Sequence, residues 1–282
     1  MRPKIPNFFL VGSQKSATTW IYRCLVEHPQ IYLPAEDEIH FFDIHYYKGV
    51  TWYHQFYNKY KGEEIAGDTT SSYMRDPQVP KRIADYNSDA KLLFSLRNPI
   101  DRAFSHYWHE KKKGKIAFDF SEIFENYDLF QNLIVPGFYH FHLENFYAHF
   151  PQNQILVMVY EDLEKDPHQF LQEILAFLKV NTDFLPKVLH DRINKAWYMP
   201  SRFEKAKHRF YFTLTRTVMN LLPWNLKERL QRRYLFDLDS NGVKSEYDRG
   251  MNNALRAEIR NIFKSENEKL GELINRDLSF WS

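Results

Sequence analysis

The strongest constraint on the fold is an apolar run that leads into a small polar turn near the start of the chain. Residues 8–12 (FFLVG) have the composition of a buried strand, and residues 13–19 (SQKSATT) follow as a turn that opens a helix. Backbone N–H groups and the positive end of a helix dipole meet at such a turn, where Lys15 adds a full charge. The segment predicts an anion site, normally for phosphate, although a lysine-bearing helix cap is the alternative interpretation.

The spacing of this turn separates it from the loop of nucleoside triphosphatases. That loop has four residues, a second glycine and then lysine after its first glycine, whereas two residues separate Gly12 from Lys15. The sequence also shows no convincing strand that ends in a magnesium-binding aspartate. A different phosphorylated donor is therefore favoured, and no metal is expected.

A second apolar strand is followed by a helix that starts at a proline. Residues 91–96 (KLLFSL) favour an interior strand of a parallel sheet, and Pro99 is suited to the first turn of a helix. Arg97 stands at the carboxyl end of this strand, and Ser105 stands two turns into the helix. Because doubly wound sheets bind ligands at that edge, Arg97 and Ser105 are candidates to hold a second phosphate.

Together, these segments resemble the sulfotransferase superfamily that uses 3′-phosphoadenosine-5′-phosphosulfate (PAPS), in its heparan sulfate and bacterial branch. Residues 12–19 are similar to the 5′-phosphosulfate loop of the family, and residues 97–105 are similar to its 3′-phosphate segment. Further stretches fit in the order of the family, namely residues 36–43 (EDEIHFFD), 46–53, 137–146 and 153–162. The resemblance covers nearly the whole chain and is densest before residue 180.

The resemblance implies an α/β, P-loop-like three-layer fold with a central, mostly parallel sheet flanked by helices. A single sulfotransferase domain is expected over residues 1–282, with residues 196–250 as a variable helical lid or acceptor-side insertion. Apolar patterning predicts strands at 7–12, 65–68, 91–96 and 154–160. It predicts helices at 17–27, 78–86, 99–113, 121–129, 138–149, 166–179 and 252–275.

The chemistry that the resemblance implies is transfer of a sulfuryl group from PAPS to a hydroxyl. The acceptor is expected to be a carbohydrate or a lipid-linked or carrier-linked metabolite, and 3′-phosphoadenosine-5′-phosphate (PAP) is the product. Lys15 is expected to neutralise charge on the leaving phosphate as well as to bind it. The expected donor-binding residues are Gln14, Lys15, Ser16, Ala17, Thr18, Thr19, Arg97 and Ser105.

Glu38 matches the catalytic glutamate of the family and is the first candidate for the general base. The neighbouring Phe41 and Phe42 are expected to raise its pKa toward the working range of such a base. His40 is the second candidate, with a purely structural histidine as the alternative. In an extended segment, Glu38, His40 and Phe42 share one side, and Phe41 and Asp43 face the other.

Acceptor contacts are expected from Asp43, Tyr139 and Glu144, which correspond to acceptor-contacting positions of the family. The helix predicted at 138–149 also needs aromatic residues in the core, and a core position is the alternative role for Tyr139. The heparan sulfate branch commonly has a Glu-Lys-Thr-Pro-x-Tyr pattern, but residues 68–73 here read DTTSSY, so Thr69 replaces the lysine. Either another cation, such as Arg75 or Lys48, substitutes for it or the acceptor differs.

The composition of the chain bears on the cellular compartment and on the classes of partner that are expected. The 38 basic and 36 acidic residues give a net charge of +2, which does not favour nucleic acid. One cysteine, Cys24, excludes an internal disulfide. The chain shows neither a secretory leader nor an apolar run of about 18 residues that could form a transmembrane segment. A cytoplasmic, bacterial enzyme is therefore expected. The resemblance implies a contrast with the animal members of the branch, which are Golgi enzymes with a membrane anchor.

Basic and apolar residues interleave over residues 201–235. A helical lid, whose basic side chains help to hold the donor and whose apolar face is core, is the favoured interpretation, and peripheral contact with an anionic membrane or an acidic carrier protein is the alternative. Two other functions stay open, a nucleotide-dependent kinase and a non-catalytic nucleotide-binding module. Magnesium-dependent ATP turnover would identify the kinase, and Glu38 together with Lys15 argues against a pure binding module.

Overall fold

Five short apolar stretches form a parallel sheet in the computed structural model, which describes residues 5–113, 115, 116, 118–191 and 251–281. The strands are β1 Phe8–Gly12, β2 Ile31–Tyr32, β3 Ile65–Asp68, β4 Lys91–Leu96 and β5 Ile155–Val159. Their order is β2-β3-β1-β4-β5, and every pair is parallel. The predicted lid at 196–250 and the basic segment at 201–235 lie outside the described residues.

Helices cover both faces of this sheet. In the described part of the chain they are α1 Thr18–Val26, α2 Gly49–His54, α3 Val79–Tyr86, α4 Pro99–Lys112, α5 Tyr127–Leu129, α6 Tyr139–Tyr147, α7 Tyr160–Lys165, α8 Pro167–Leu178 and α9 Asn253–Leu273. Proline occupies the first turn of α4, and the Asn98 side chain caps that helix by accepting from the backbone N–H of Ile100 at 3.0 Å.

Alternating side chains of β1 belong to two cores on opposite faces of the sheet. Phe8 and Leu10 pack in one core with residues of α1 and α8, whereas Phe9 and Val11 pack in the other with residues such as Phe41. Because both faces are covered, the strands read as continuous apolar runs. The expected three-layer α/β fold is confirmed.

The predicted strands agree with the structure to within one residue at each end. The two-residue strand β2 and the short helices α2 and α7 were not predicted, because none of them is long enough to show a period. The helix predicted at 121–129 is wrong in part: residues 120–124 form a 3₁₀ helix, and an α-helical turn follows at 127–129. Asn126, which caps this turn through its side chain, marks the break.

The topology brings three loops to one edge of the sheet. β1 lies between β3 and β4, and the carboxyl ends of these parallel strands point the same way. The loops that follow them contain residues 13–17, 69–73 and 97–98. Ligands bind at this kind of edge in open α/β sheets. Within the described ranges, no helix combines the length and the apolar character needed to cross a membrane.

Candidate active site

The loop after β1 turns sharply and passes close to the loop after β3. Gly12 has a φ of +150°, and a Cβ there would lie 2.9 Å from both the Met74 Cβ and the Ser71 carbonyl oxygen. Lys15 and Ala17 adopt left-handed backbone angles, with φ of 72° and 64°. Turns of this kind direct backbone N–H groups into a concavity that binds anions. The loop therefore has the backbone shape expected of a phosphate cradle.

Serine hydroxyls tie this loop to the end of β4. The Ser13 N–H donates to the Ser95 carbonyl at 2.8 Å, and the Ser95 hydroxyl donates to the Ser16 carbonyl at 2.6 Å. The Ser13 and Ser16 hydroxyls are also 2.6 Å apart. Because all three serines are buried, these contacts fix the loop against the strand that leads to Arg97. A serine within the apolar run of β4 was the sequence signal for this link.

Lys15 is held in a cationic environment. Burial, followed by the positive charges of Lys113 and Arg97, lowers the pKa of Lys15 to about 8. The negative charges of Glu110 and Glu38 oppose this shift, so Glu38 acts electrostatically on the same ammonium. The Oε1 atom of Gln14 is buried and has no hydrogen-bond partner in the described part of the chain. The cations Lys15, Lys113 and Arg97 suit an anionic ligand, whereas the Gln14 oxygen would need a hydrogen-bond donor.

The two predicted donor-binding segments are joined through Tyr139. This side chain is 1% exposed, its hydroxyl donates to the Arg97 carbonyl at 2.9 Å, and it lies 3.4 Å from the Ser13 hydroxyl. Arg97 also stacks over the ring of Tyr160 at 4.6 Å. Ser105 lies in the second turn of α4. Tyr139 thus has the core position given above as the alternative to acceptor contact.

Glu38, His40 and Asp43 lie together in the loop after β2. The His40 Nε2 atom is 3.6 Å from the Glu38 Oε2 atom, and the His40 Nδ1 atom is 3.0 Å from the Asp43 Oδ2 atom. The predicted closeness of Glu38 and His40 is confirmed. The predicted alternation is wrong, because a left-handed φ of 57° at His40 turns the chain and brings Asp43 to the same ring.

The charges of this trio support one another. Burial lowers the pKa of His40, but hydrogen bonds and negative charge from Asp43 and Glu38 outweigh it and raise the value to about 10. Burial raises the pKa of Glu38, but hydrogen bonds from His40 and Ser71 outweigh it, so the net shift is downward. The arrangement is therefore a carboxylate, an imidazolium and a second carboxylate.

The expected rise in the pKa of Glu38 is wrong. The aromatic rings that were expected to surround the carboxylate are instead in the core, where Phe41 stacks on Tyr53 at 4.3 Å and Phe42 lies edge-on to Phe9. The Glu38 side chain keeps 37% of its exposure. Hydrogen bonds from His40 and Ser71 thus outweigh the effect of burial on the pKa of Glu38.

Residues 69–73, after β3, hold this loop by hydrogen bonds and are called the hydroxyl segment here. Thr69 donates to the Asp37 carbonyl at 2.6 Å. The Thr70 hydroxyl accepts from the backbone N–H groups of Ile39 and His40, at 3.1 and 3.2 Å. The Tyr73 hydroxyl accepts from the N–H groups of Phe41 and Phe42, at 2.9 and 3.2 Å.

The hydroxyl segment is anchored by the buried carboxylate of Asp68. Asp68 accepts from the hydroxyls of Thr70, Tyr53 and Tyr73, at 2.6, 2.7 and 2.9 Å. Burial raises the pKa of Asp68, and these hydrogen bonds oppose that shift. Because Thr70 and Tyr73 donate to Asp68, their lone pairs are free to accept from the loop. The hydroxyl-rich sequence DTTSSY was the available signal for this network.

The structure also places the remaining candidates. Thr69 offers no charge in place of the family lysine, and the Lys48 ammonium lies 4.3 Å over the Trp52 ring. The charge of Arg75 acts on the buried Arg102 and His106. Glu144 is 57% exposed on α6, with its carboxylate 3.5 Å from the His140 Nε2 atom.

Comparison with known proteins identifies the family. The profile of the sulfotransferase domain matches residues 6–270. Bifunctional heparan sulfate N-deacetylase/N-sulfotransferase 4 of Mus musculus is 30% identical over 199 residues, which cover 64% of this chain and 23% of that protein. The human N-deacetylase/N-sulfotransferase 3 is 30% identical over 196 residues, which are 63% of this chain and 22% of that protein. The match thus spans about a quarter of the length of these relatives.

Solved structures show the same fold. A sulfotransferase from Alicyclobacillus acidocaldarius aligns with a TM-score of 0.71 and 25% identity over 98% of both chains. The sulfotransferase domain from the curacin biosynthetic pathway aligns with a TM-score of 0.51 and 16% identity, covering 70% of this chain and 81% of that domain. The second likeness supports the fold alone.

Proposed function

This chain belongs to the sulfotransferase domain family, and from that membership we propose that it transfers the sulfuryl group of PAPS to a carbohydrate or to a lipid-linked or carrier-linked metabolite. The observation that carries the proposal is that the Glu38 carboxylate accepts from the Ser71 hydroxyl, while the Ser71 carbonyl packs against Gly12, at the start of the loop that contains Lys15. A base and a leaving-group cation are the two groups that sulfuryl transfer needs. Kinase activity and mere nucleotide binding are not favoured by this family membership.

Donor binding is assigned to two segments. Residues 14–19 offer backbone N–H groups, two threonine hydroxyls and the Lys15 ammonium to the 5′-phosphosulfate. Arg97 and Ser105, on the second segment, are proposed to bind the 3′-phosphate, which a planar guanidinium matches well. The link through Tyr139 supports this division, because it fixes the distance between the segments.

Glu38 is proposed to accept the proton of the acceptor hydroxyl while the oxygen attacks sulfur. The bond between sulfur and the donor phosphate oxygen breaks on the opposite side, and Lys15 neutralises the negative charge left on that oxygen. His40 is a poor base in this arrangement, because its pKa of about 10 keeps the ring charged at neutral pH. Its imidazolium orients Glu38, and Asp43 orients the imidazolium.

The acceptor contacts are proposed from the exposure and the hydrogen bonds of the candidate residues. Asp43 was expected to contact the acceptor, but its Oδ2 atom is held by His40 and Ser72 and its Oδ1 atom accepts from the Ile44 N–H at 2.7 Å. Asp43 is therefore proposed to act chiefly through His40, and the exposed Glu144 is the better acceptor contact. The names of the relatives add a polysaccharide amine to the acceptors worth testing.

The test is sulfate transfer from PAPS labelled with ³⁵S. The purified chain is incubated with the label and with separate pools of heparosan, de-N-acetylated heparosan, glycolipids and small phenols. We expect label in one pool together with an equal amount of PAP, and loss of both in Lys15→Ala. Magnesium-dependent ATP turnover without any sulfate transfer would instead assign the chain to a kinase.

A further inference from the structure

Two adjacent serines of the hydroxyl segment reach the carboxylates on either side of His40. The Ser71 hydroxyl donates to the Glu38 Oε1 atom, and the Ser72 hydroxyl donates to the Asp43 Oδ2 atom at 2.7 Å. Both serines are about 5% exposed or less. One dipeptide therefore sets the positions of both carboxylates in the trio.

The same dipeptide also touches the donor loop. The Ser71 carbonyl oxygen packs against Gly12 so closely that a Cβ on that glycine would lie 2.9 Å from it. Ser71 thus contacts the proposed base with its side chain and the donor loop with its backbone. Asp68 holds the hydroxyl segment in place, because its Oδ1 atom accepts from both the N–H and the hydroxyl of Thr70.

The two oxygens of Glu38 are held unequally. Oε1 receives the Ser71 hydroxyl, whereas Oε2 lies 3.6 Å from the His40 Nε2 atom, which makes the contact with His40 the longer and weaker of the two. The Ser71 contact therefore restricts rotation of the carboxylate and leaves Oε2, with the weaker contact, as the oxygen better able to take a proton. Correct alignment of reacting atoms is a large part of catalysis by positioning.

We propose that Ser71 is a positioning residue that fixes the Glu38 carboxylate relative to the donor loop, with Ser72 doing the same for Asp43 behind His40. The proposal rests on the proposed function, in which Glu38 is the base. Ser71 stands where the Glu-Lys-Thr-Pro-x-Tyr pattern has proline, which offers no hydroxyl. The hydroxyl that contacts Glu38 therefore stands at a position where this sequence departs from that pattern.

The first test measures the contact itself, without any acceptor. The ¹³C signal of the Glu38 carboxyl, assigned with Glu38→Gln, is followed against pH. The charged groups that act on Glu38 are His40 and Lys15, and Ser71→Ala alters neither residue. Ser71→Ala removes a hydrogen bond to the charged form of Glu38, so the titration midpoint of the Glu38 carboxyl should rise by about 0.5–1 pH unit. Ser71→Thr, which keeps a hydroxyl, should restore the midpoint.

Ser72→Ala is the matched control, because it removes one buried hydroxyl from the next residue. It should raise the midpoint of Asp43 and leave that of Glu38 nearly unchanged. A Glu38 midpoint that is the same in Ser71→Ala and in the unaltered protein would overturn the proposal. Equal shifts in both variants would also overturn it, since they would indicate a general change in the loop.

The second test measures PAP release from PAPS, with water as the acceptor where no other is found. Ser71→Ala should lower the turnover rate by about 10-fold to 100-fold, while calorimetry shows unchanged PAP binding. In the Glu38→Gln background, Ser71→Ala should have no further effect. If Ser71→Ala lowered the turnover rate equally in the unaltered protein and in Glu38→Gln, Ser71 would not act through Glu38.

The two tests separate the proposals. If Glu38→Gln keeps its turnover, the proposed base is wrong, and the carboxyl titration still decides whether Ser71 holds Glu38.

Discussion

The Nδ1 atom of His40 lies 3.0 Å from the Oδ2 atom of Asp43, and this contact favours the charged form of the His40 ring. With Asp43 on one side and Glu38 on the other, the ring is more stable with both nitrogens protonated. A charged ring can orient and stabilise a carboxylate but cannot accept a proton. The contact therefore favours Glu38 over His40 as the base.

His40 should remain charged well above neutral pH. Its pKa in the folded chain, about 10, is above the 6.5 of a free histidine. The stabilisation from its charge is therefore complete below pH 6.5 and is lost as the pH rises through about 10. Ring ¹⁵N shifts should show a doubly protonated ring at pH 8, and Asp43→Asn should lower the midpoint. A midpoint near 6.5 in the unaltered protein would restore His40 as a base.

PAP should bind more tightly than AMP, which lacks the 3′-phosphate. A lost charge-assisted hydrogen bond is worth roughly 1.5–3 kcal/mol, which corresponds to about a 10-fold to 150-fold change in Kd. Arg97→Ala should reduce this preference in calorimetry. Lys81→Ala, which removes an exposed lysine paired with Asp85, should leave it unchanged. Equal affinity for PAP and AMP would rule out the assignment of Arg97 and Ser105.

Gly12→Ala should destabilise the fold more than Gly62→Ala does. Both glycines have positive φ, at +150° and +103°, so each substitution strains the backbone. A Cβ at Gly12 also meets Met74 and the Ser71 carbonyl, whereas one at Gly62 meets nothing within 4 Å. Overpacking of this kind typically costs about 1–3 kcal/mol. Urea unfolding should show that difference, and equal stabilities would contradict the close packing of the two loops.

The sequence was most informative where local pattern decides structure. The apolar runs of β1 and β4 and the proline at α4 predicted the strands and helices that carry the two proposed donor-binding segments. The left-handed turn at His40 was not predictable, because it depends on hydroxyls some thirty residues later in the chain. The pKa of Glu38 was mispredicted for the same reason, since Ser71 reaches it only after β2 and β3 have paired.

The most direct test of the account is the turnover and donor affinity of Glu38→Gln. The amide keeps the shape of the carboxylate but cannot accept the proton, so kcat for sulfuryl transfer should fall by about 10²–10⁴. PAP affinity should stay within about threefold, since the donor contacts lie on other segments. Glu36→Gln, the same change two residues earlier, should leave both quantities unaltered. Near-normal turnover in Glu38→Gln, with turnover lost in His40→Ala, would contradict Glu38 as the base.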